Sequence, residues 1–346
     1  MAPKFEQTTR ASELVPYYAK KIAGKTIIIT GVSSGSLGES FVKEASIGNP
    51  ATFILAGRSP SKFQSLVDHL ASAHPNIAVK SLALDLTSLA NVRKAAETVN
   101  SWSDVSHIDV LVNNAGIMAV PYRLTQDGFE SQLQTNHLGH FLFTNLIMGK
   151  ILASKAPRVV IISSMGHRHG HIRWADYNFS DGKLYDKWTA YGQSKTANGL
   201  TAVALAEKLG SKGLVSFSVC PGSVGTNLAA HEADNMAGFV KDFQAADARV
   251  GARWMRNPDV LYKDLDQGVA THVFAAFDQD IVEHNGAYLT HCRLAMYVLT
   301  WRLELHYSGS TPDTRPTRCP AVYLFPAHQQ SHEYGREAIN LGRHGS

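Results

Sequence analysis

The chain has 346 residues, 44% hydrophobic and 18% charged, with a formal net charge of +4. This is the composition of an ordinary globular enzyme, with ample material for a buried core. The basic residues are scattered, with neither a basic helix nor an aromatic-basic alternation, so nucleic acid is not an expected partner.

Residues 1–23 read as a polar extension, and the first twenty hold no apolar core of the kind a signal peptide needs. Short β-branched runs then alternate with longer amphipathic stretches, the pattern of a parallel sheet covered by helices. The predicted elements are strand 26–30, helix 35–47, strand 52–56, helix 61–73, strand 77–84, helix 88–99, strand 108–112 and a long helix 127–153. Strand 158–162 runs apolar, as expected of one buried on both faces. After it come a loop 165–187 rich in His, Gly, Asp and Tyr, helix 188–209, strand 215–220, helical insertion material 229–262, helix 264–277 and a short strand 287–289. The expected fold is a doubly wound α/β parallel sheet, Rossmann-type, in a single domain over 24–290.

Residues 291–346 hold no lysine, whereas the preceding 290 hold 17. They carry two of the three cysteines (Cys220, Cys292, Cys319) and lose clear periodicity after Tyr307. This atypical stretch reads as a poorly ordered tail or, functionally, as a lid or oligomer arm. No Cys-x-x-Cys pair exists, so neither a disulfide framework nor a structural zinc site is expected. No apolar run reaches the ~18 residues of a membrane span. The expected compartment is reducing and cytoplasmic.

The run from Thr30 to Gly38 follows the first strand and opens a helix. Its glycines, Gly31, Gly35 and Gly38, let the backbone turn tightly and approach a pyrophosphate, which the helix amides and dipole would hold. Ser33 and Leu37 belong to the same candidate surface; a tight βα connection is the bland alternative. The second strand ends without the acid that would bind a ribose 2′-hydroxyl, and Arg58 follows directly. A guanidinium suits a 2′-phosphate, so NADP(H) is the expected cofactor. Lys62 reads as an ordinary solvated lysine. Asp85, ending the third strand, would accept from an adenine amine or simply start the next helix.

Tyr191 and Lys195 lie four apart on a predicted helix, hence on one face. An ammonium one turn away would lower the phenol pKa and fit the pair for proton exchange with a hydroxyl or carbonyl. Taken alone, such a pair is common on solvated helices.

These motifs together resemble the short-chain dehydrogenase/reductase family. The resemblance rests on the Gly31/Gly35/Gly38 turn, Asn113-Asn114-Ala115-Gly116, Asn136, Ser163-Ser164, Tyr191/Lys195 and Pro221-Gly222, in the family's order. The nearest likeness is to its retinol-dehydrogenase-like branch, including fungal members with a long loop between serine and tyrosine. The resemblance implies that Tyr191 is the general acid/base and that Lys195 tunes it and binds the nicotinamide ribose. It implies that Ser164, or its neighbour Ser163, holds the substrate carbonyl, and that Asn136 holds a water linking Lys195 to solvent. Asn113, Ala115 and Gly116 would line the cofactor cleft, and Val224 and Thr226 would contact the nicotinamide. It also implies a homodimer. The last glycine of the turn falls one place late, with Leu37 where the family has glycine, which leaves open whether Gly38 or Ser36 makes the close approach.

His167, His169 and His171 alternate like metal ligands, but no carboxylate or cysteine joins them at ligand spacing, so no metal is expected and a substrate-loop reading is preferred. Met236, Phe239, Val240, Phe243, Val250, Trp254 and Met255 either cover a lipophilic substrate or pack the insertion onto the core. The expected activity is NADP(H)-dependent interconversion of a ketone or aldehyde and an alcohol on a small-molecule substrate, lipid-like or from secondary metabolism. An extended-type nucleotide-sugar epimerase or dehydratase and a non-catalytic NADP-binding protein are the competing readings.

Overall fold

A computed structural model describes residues 5–251 and 262–295. Its sheet has eight strands: β1 (Thr26–Thr30), β2 (Thr52–Gly57), β3 (Ala78–Ala83), β4 (Val110–Asn113), β5 (Arg158–Ile162), β6 (Val215–Cys220), β9 (Tyr288–Thr290) and β10 (Arg293–Leu294). Their order is β10-β9-β6-β5-β4-β1-β2-β3. All neighbours pair parallel except β10, which runs antiparallel to β9. The chain winds one way from β1 to β3 and the other way from β4 onward. The crevice beyond the carboxyl ends of β1 and β4 is therefore where such a sheet receives its ligand.

Strand alternation builds two cores. Ile27 and Ile29 face one side, packing with α1 (Ala11–Ile22), α2 (Leu37–Ser46), α3 (Gln64–Ala73) and α10 (Leu265–Phe277). Ile28 faces the other, among residues of α4 (Leu89–Ser101), α6 (Gly139–Leu146), α7 (Met148–Leu152) and α8 (Lys187–Leu209). Burial on both faces explains why the strand centres are continuously apolar. The described residues belong to one compact unit, and no helix among them is long and apolar enough to cross a membrane.

Two elements differ from the sequence reading, and the insertion is helical where it is described. Helix α1 lies within the stretch read as an extension, yet Ala11, Leu14, Val15, Tyr18 and Ile22 are buried against α10. The long helix expected over 127–153 starts later and is broken. It comprises α5 (Ser131–Leu133), a π-helical turn Gln134–Leu138, α6 and α7. Glu130 sets the start, its carboxylate accepting from the Gln132 and Leu133 amides (2.9 and 2.8 Å). The insertion holds a 3₁₀ stretch Asn227–Asn235 and α9 (Met236–Arg249). Trp254, Met255 and the tail from 296 onward lie outside the described residues. A small parallel pair, β7 (Ser223–Val224) with β8 (Tyr262–Lys263), sits beyond the end of β6.

Candidate active site

The glycine turn sits at the mouth of the crevice. A Cβ on Gly38 would lie 2.3 Å from the Gly31 carbonyl oxygen, and one on Gly31 would lie 2.7 Å from Ala115 Cα. Gly38 thus makes the close approach of helix to strand, while Ser36 is the N-cap of α2, accepting from the Glu39 amide (3.2 Å). Ser33 is exposed, and its carbonyl accepts from the Ser36 amide (3.1 Å). Leu37 opens the helix and packs on the core. Asn227 Nδ2 donates to the Ser34 carbonyl (2.9 Å), tying the loop after β6 to the turn. Arg58 is exposed just past β2. One oxygen of Asp85 accepts from both the amide and hydroxyl of Thr87 (2.9 and 2.7 Å), a local turn ahead of Ser88, which is the N-cap of α4.

The Asn113–Gly116 segment divides its work. Asn114 Nδ2 donates to the carbonyls of Thr30 and Gly31 (2.8 and 3.0 Å), stitching β4 to the turn. The Thr30 hydroxyl accepts from the amides of Asn114 and Ala115 (each 2.9 Å). Asn113 is buried and donates to Thr144 (2.8 Å). Asn136, in the π-helical turn, is buried with its amide committed. It accepts from the Ile117 amide (2.8 Å) and donates to the Ile117 carbonyl and to Ser194 Oγ (each 2.9 Å). A Cβ on Gly116 would meet Asn136 Oδ1 at 3.1 Å and Lys195 Nζ at 3.4 Å, so these two groups border the same glycine.

Ser164, Tyr191 and Lys195 converge at the end of β5. Strand alternation sends Ser163 inward, where its hydroxyl donates to the Lys195 carbonyl (2.8 Å), and leaves Ser164 half-buried facing Tyr191. Gly166 permits this meeting, since a Cβ there would lie 2.7 Å from Tyr191 Cε1 and 3.3 Å from Ser164 Oγ. Lys195 Nζ donates to the Ile162 carbonyl (3.0 Å) and stands 5.6 Å from the centre of the Tyr191 ring.

The electrostatics depart from the sequence expectation. Burial pushes the Tyr191 phenol above its ordinary range; the Ser164 hydroxyl opposes the shift and nearby Cys220 adds to it. Burial also lowers Lys195 to about 8. Both groups are out of water, and the ammonium is turned to a carbonyl oxygen and the ring face, so the chain by itself favours a neutral tyrosine.

The loop after Ser164 is bound to what surrounds it. His167 Nδ1 lies 2.7 Å from the Ser164 carbonyl, and burial lowers its pKa to about 4. His169 Nε2 lies 2.8 Å from Asp247 Oδ1 of α9, both buried. The two rings serve separate partners, and His171 is exposed. Phe239 and Phe243 pack on Trp188 with ring centres 5.0 and 4.7 Å apart, in one cluster with Tyr191 and Ala119. These two therefore pack the insertion onto α8 and make an apolar wall beside the phenol, whereas Met236 and Val250 are exposed. Val224 lies against Gly268 of α10, and the Thr226 hydroxyl accepts from the Leu228 amide (3.3 Å). Ser194, which accepts from Asn136, and Asp247, which pairs with His169, carry part of this geometry without any motif to mark them.

Comparison with known proteins agrees with this architecture. A family model described as short chain dehydrogenase matches residues 25–237. Human retinol dehydrogenase 13 is 37% identical over 210 residues, covering 61% of this chain and 62% of that protein. The match thus spans less than two thirds of that relative's length. Mouse retinol dehydrogenase 11 is 30% identical over 82% of this chain and 83% of its own. Among solved structures, an uncharacterized protein of Mycobacterium paratuberculosis superimposes with a TM-score of 0.57 at 34% identity, covering 78% of this chain and 81% of that one. NADPH-bound carbonyl reductase from chicken fatty liver shares the fold, with a TM-score of 0.55 at 19% identity over 79% of this chain and 99% of that one.

Proposed function

Because the chain belongs to the short-chain dehydrogenase family, we propose that it interconverts a ketone or aldehyde and an alcohol with NADP(H). The observation that carries the reading is the meeting of Ser164 and Tyr191 at Gly166, with Lys195 one turn along the same helix. The nicotinamide, when bound, supplies or accepts the hydride. A tyrosine kept neutral by burial is poised to give its proton to a carbonyl oxygen. The Ser164 hydroxyl donates to the same oxygen and stabilises alkoxide charge as it develops. Lys195, held over the ring by the Ile162 carbonyl, offsets the phenolate once the proton has left.

The residues fit a dinucleotide: a glycine turn closes on a helix N-terminus, and the crevice lies at the switch point of the sheet. Arg58, exposed beyond a second strand that ends without an acid, supports NADP(H) over NAD(H). The apolar wall of Trp188, Phe239 and Phe243, with the likeness to proteins named for retinol, supports a lipophilic substrate. The test is a panel of carbonyls and alcohols with NADPH, NADH and their oxidised forms. Turnover is expected with lipophilic carbonyls and NADPH, lost in Tyr191→Phe, and with the NADPH preference reduced in Arg58→Ala. Equal turnover by Tyr191→Phe would sink the catalytic reading, and an unchanged preference in Arg58→Ala would sink the cofactor assignment.

A further inference from the structure

The glycine turn carries an anion of its own. Glu39, in the first turn of α2, accepts the Gly35 amide on Oε2 at 2.6 Å. Its other oxygen is held by Lys43 at 2.8 Å, one helical turn on. The N–H groups of Leu37 and Gly38, which begin the helix, meet no acceptor among the described residues. The turn therefore offers two amides to an incoming phosphate while a carboxylate occupies a third beside them. A helix N-terminus attracts anions, and two anions drawn to one terminus repel each other in a half-buried site.

We propose that Glu39 is an internal competitor for the diphosphate, a residue that sets how tightly the turn holds a dinucleotide. The inference rests on the nucleotide-binding reading above. To admit a diphosphate, Glu39 must release the Gly35 amide while keeping Lys43, which already holds its other oxygen. Binding strength is then the difference between two anions on one set of amides. A cap without this role would act oppositely: its loss would loosen the turn, weakening binding and lowering the melting temperature together.

The test uses the full chain and direct titration with NADPH and NADH, read by nucleotide fluorescence or calorimetry at low and high salt. Glu39→Gln keeps the shape and removes the charge. It is expected to bind both nucleotides about ten-fold more tightly, equivalent to ~1.4 kcal/mol. Lys43→Met, which strands the carboxylate without its partner, is expected to weaken binding about three-fold. Both differences are expected to shrink as salt screens them. Equal or weaker binding by Glu39→Gln would overturn the proposal, as would tighter binding by Lys43→Met. If wild type and both variants bind neither nucleotide, the nucleotide-binding reading falls and this proposal with it. If wild type binds and Glu39→Gln is indifferent, the proposal alone falls.

Discussion

Replacing Ser163 and Ser164 by alanine one at a time tests the proposal that the first hydroxyl is structural and the second reacts. The Ser163 hydroxyl donates to the Lys195 carbonyl at 2.8 Å in a buried setting. That carbonyl lies inside α8 and keeps its helical partner, so the loss is one net hydrogen bond, ~1 kcal/mol. For a domain of this size that lowers the melting temperature by about 2–4 °C. Ser163→Ala should therefore melt slightly earlier and retain kcat within a few-fold. The Ser164 hydroxyl accepts from the Gly166 amide at 3.0 Å and faces the phenol of Tyr191. Removing a donor aimed at developing negative charge costs about 10²–10³ in kcat. Steady-state kinetics on the best substrate from the carbonyl panel, paired with thermal melts, distinguishes the two. A Ser164→Ala variant with wild-type kcat, or a Ser163→Ala variant as slow as Ser164→Ala, would refute the assignment of roles.

Other outcomes follow from the same geometry. Lys195 has its pKa lowered from 10.5 to about 8, so the folded state bears the cost of the charge in full below pH 8 and sheds it as pH rises toward 10.5. In urea titrations Lys195→Met should be more stable than wild type by up to ~3 kcal/mol at pH 7, with the gap narrowing above about pH 8 and closing above about pH 10.5; a gap constant with pH would refute this. Asn198 Nδ2 also donates to the Ile162 carbonyl (3.0 Å), so that oxygen keeps a partner in the variant. Gly38→Ala places a Cβ 2.3 Å from backbone oxygen and should cost about 1–3 kcal/mol in chemical denaturation. Gly225→Ala meets nothing within 4 Å and should be neutral, and equal effects at the two glycines would contradict the packing. Tyr18→Phe removes the donor to Asp278 (2.5 Å), both buried, and should lower stability by ~1.5–3 kcal/mol by the same measurement. No change would place that bond outside the stability of the fold.

The parallel sheet was legible because a strand buried on both faces must be apolar throughout, and those runs stand out between turns. The strand predicted over 26–30 coincides with β1 for that reason, and the helix predicted over 264–277 falls within a residue of α10, whose N-cap is Asp264. Tyr191 and Lys195 were legible as a pair because a spacing of four puts them on one helix face, whereas Ser164 was marked only by the family resemblance. What escaped was set by partners distant in the chain. Helix α1 hid behind Pro16 and its lysines, although Ala11, Leu14, Val15, Tyr18 and Ile22 form an apolar stripe at helical spacing. The break at Asn136 depends on Ile117 and Ser194, neither of them near it in sequence. The electrostatics of the Tyr191/Lys195 pair escaped because spacing gives proximity and not desolvation. A pair exposed on a helix and a pair sealed beneath a loop share one pattern and differ in sign of effect.

Helix α1 also bears on the order in which the chain is made. Arg10 reaches Asp264 and Asp266 (2.7 and 3.2 Å), Ser12 donates to Asp266, and Tyr18 binds Asp278. Each of these partners belongs to α10 or its ends, some 250 residues later. At ribosomal speeds of about 5–20 residues per second, the apolar stripe of α1 waits roughly 12–50 s for the surface it belongs to. During that interval Ile22 already meets Gly48 after α2, while the face of α1 that packs on α10 stays uncovered. Among the described residues α10 is the last α-helix and packs on α1, the first, so that contact forms late.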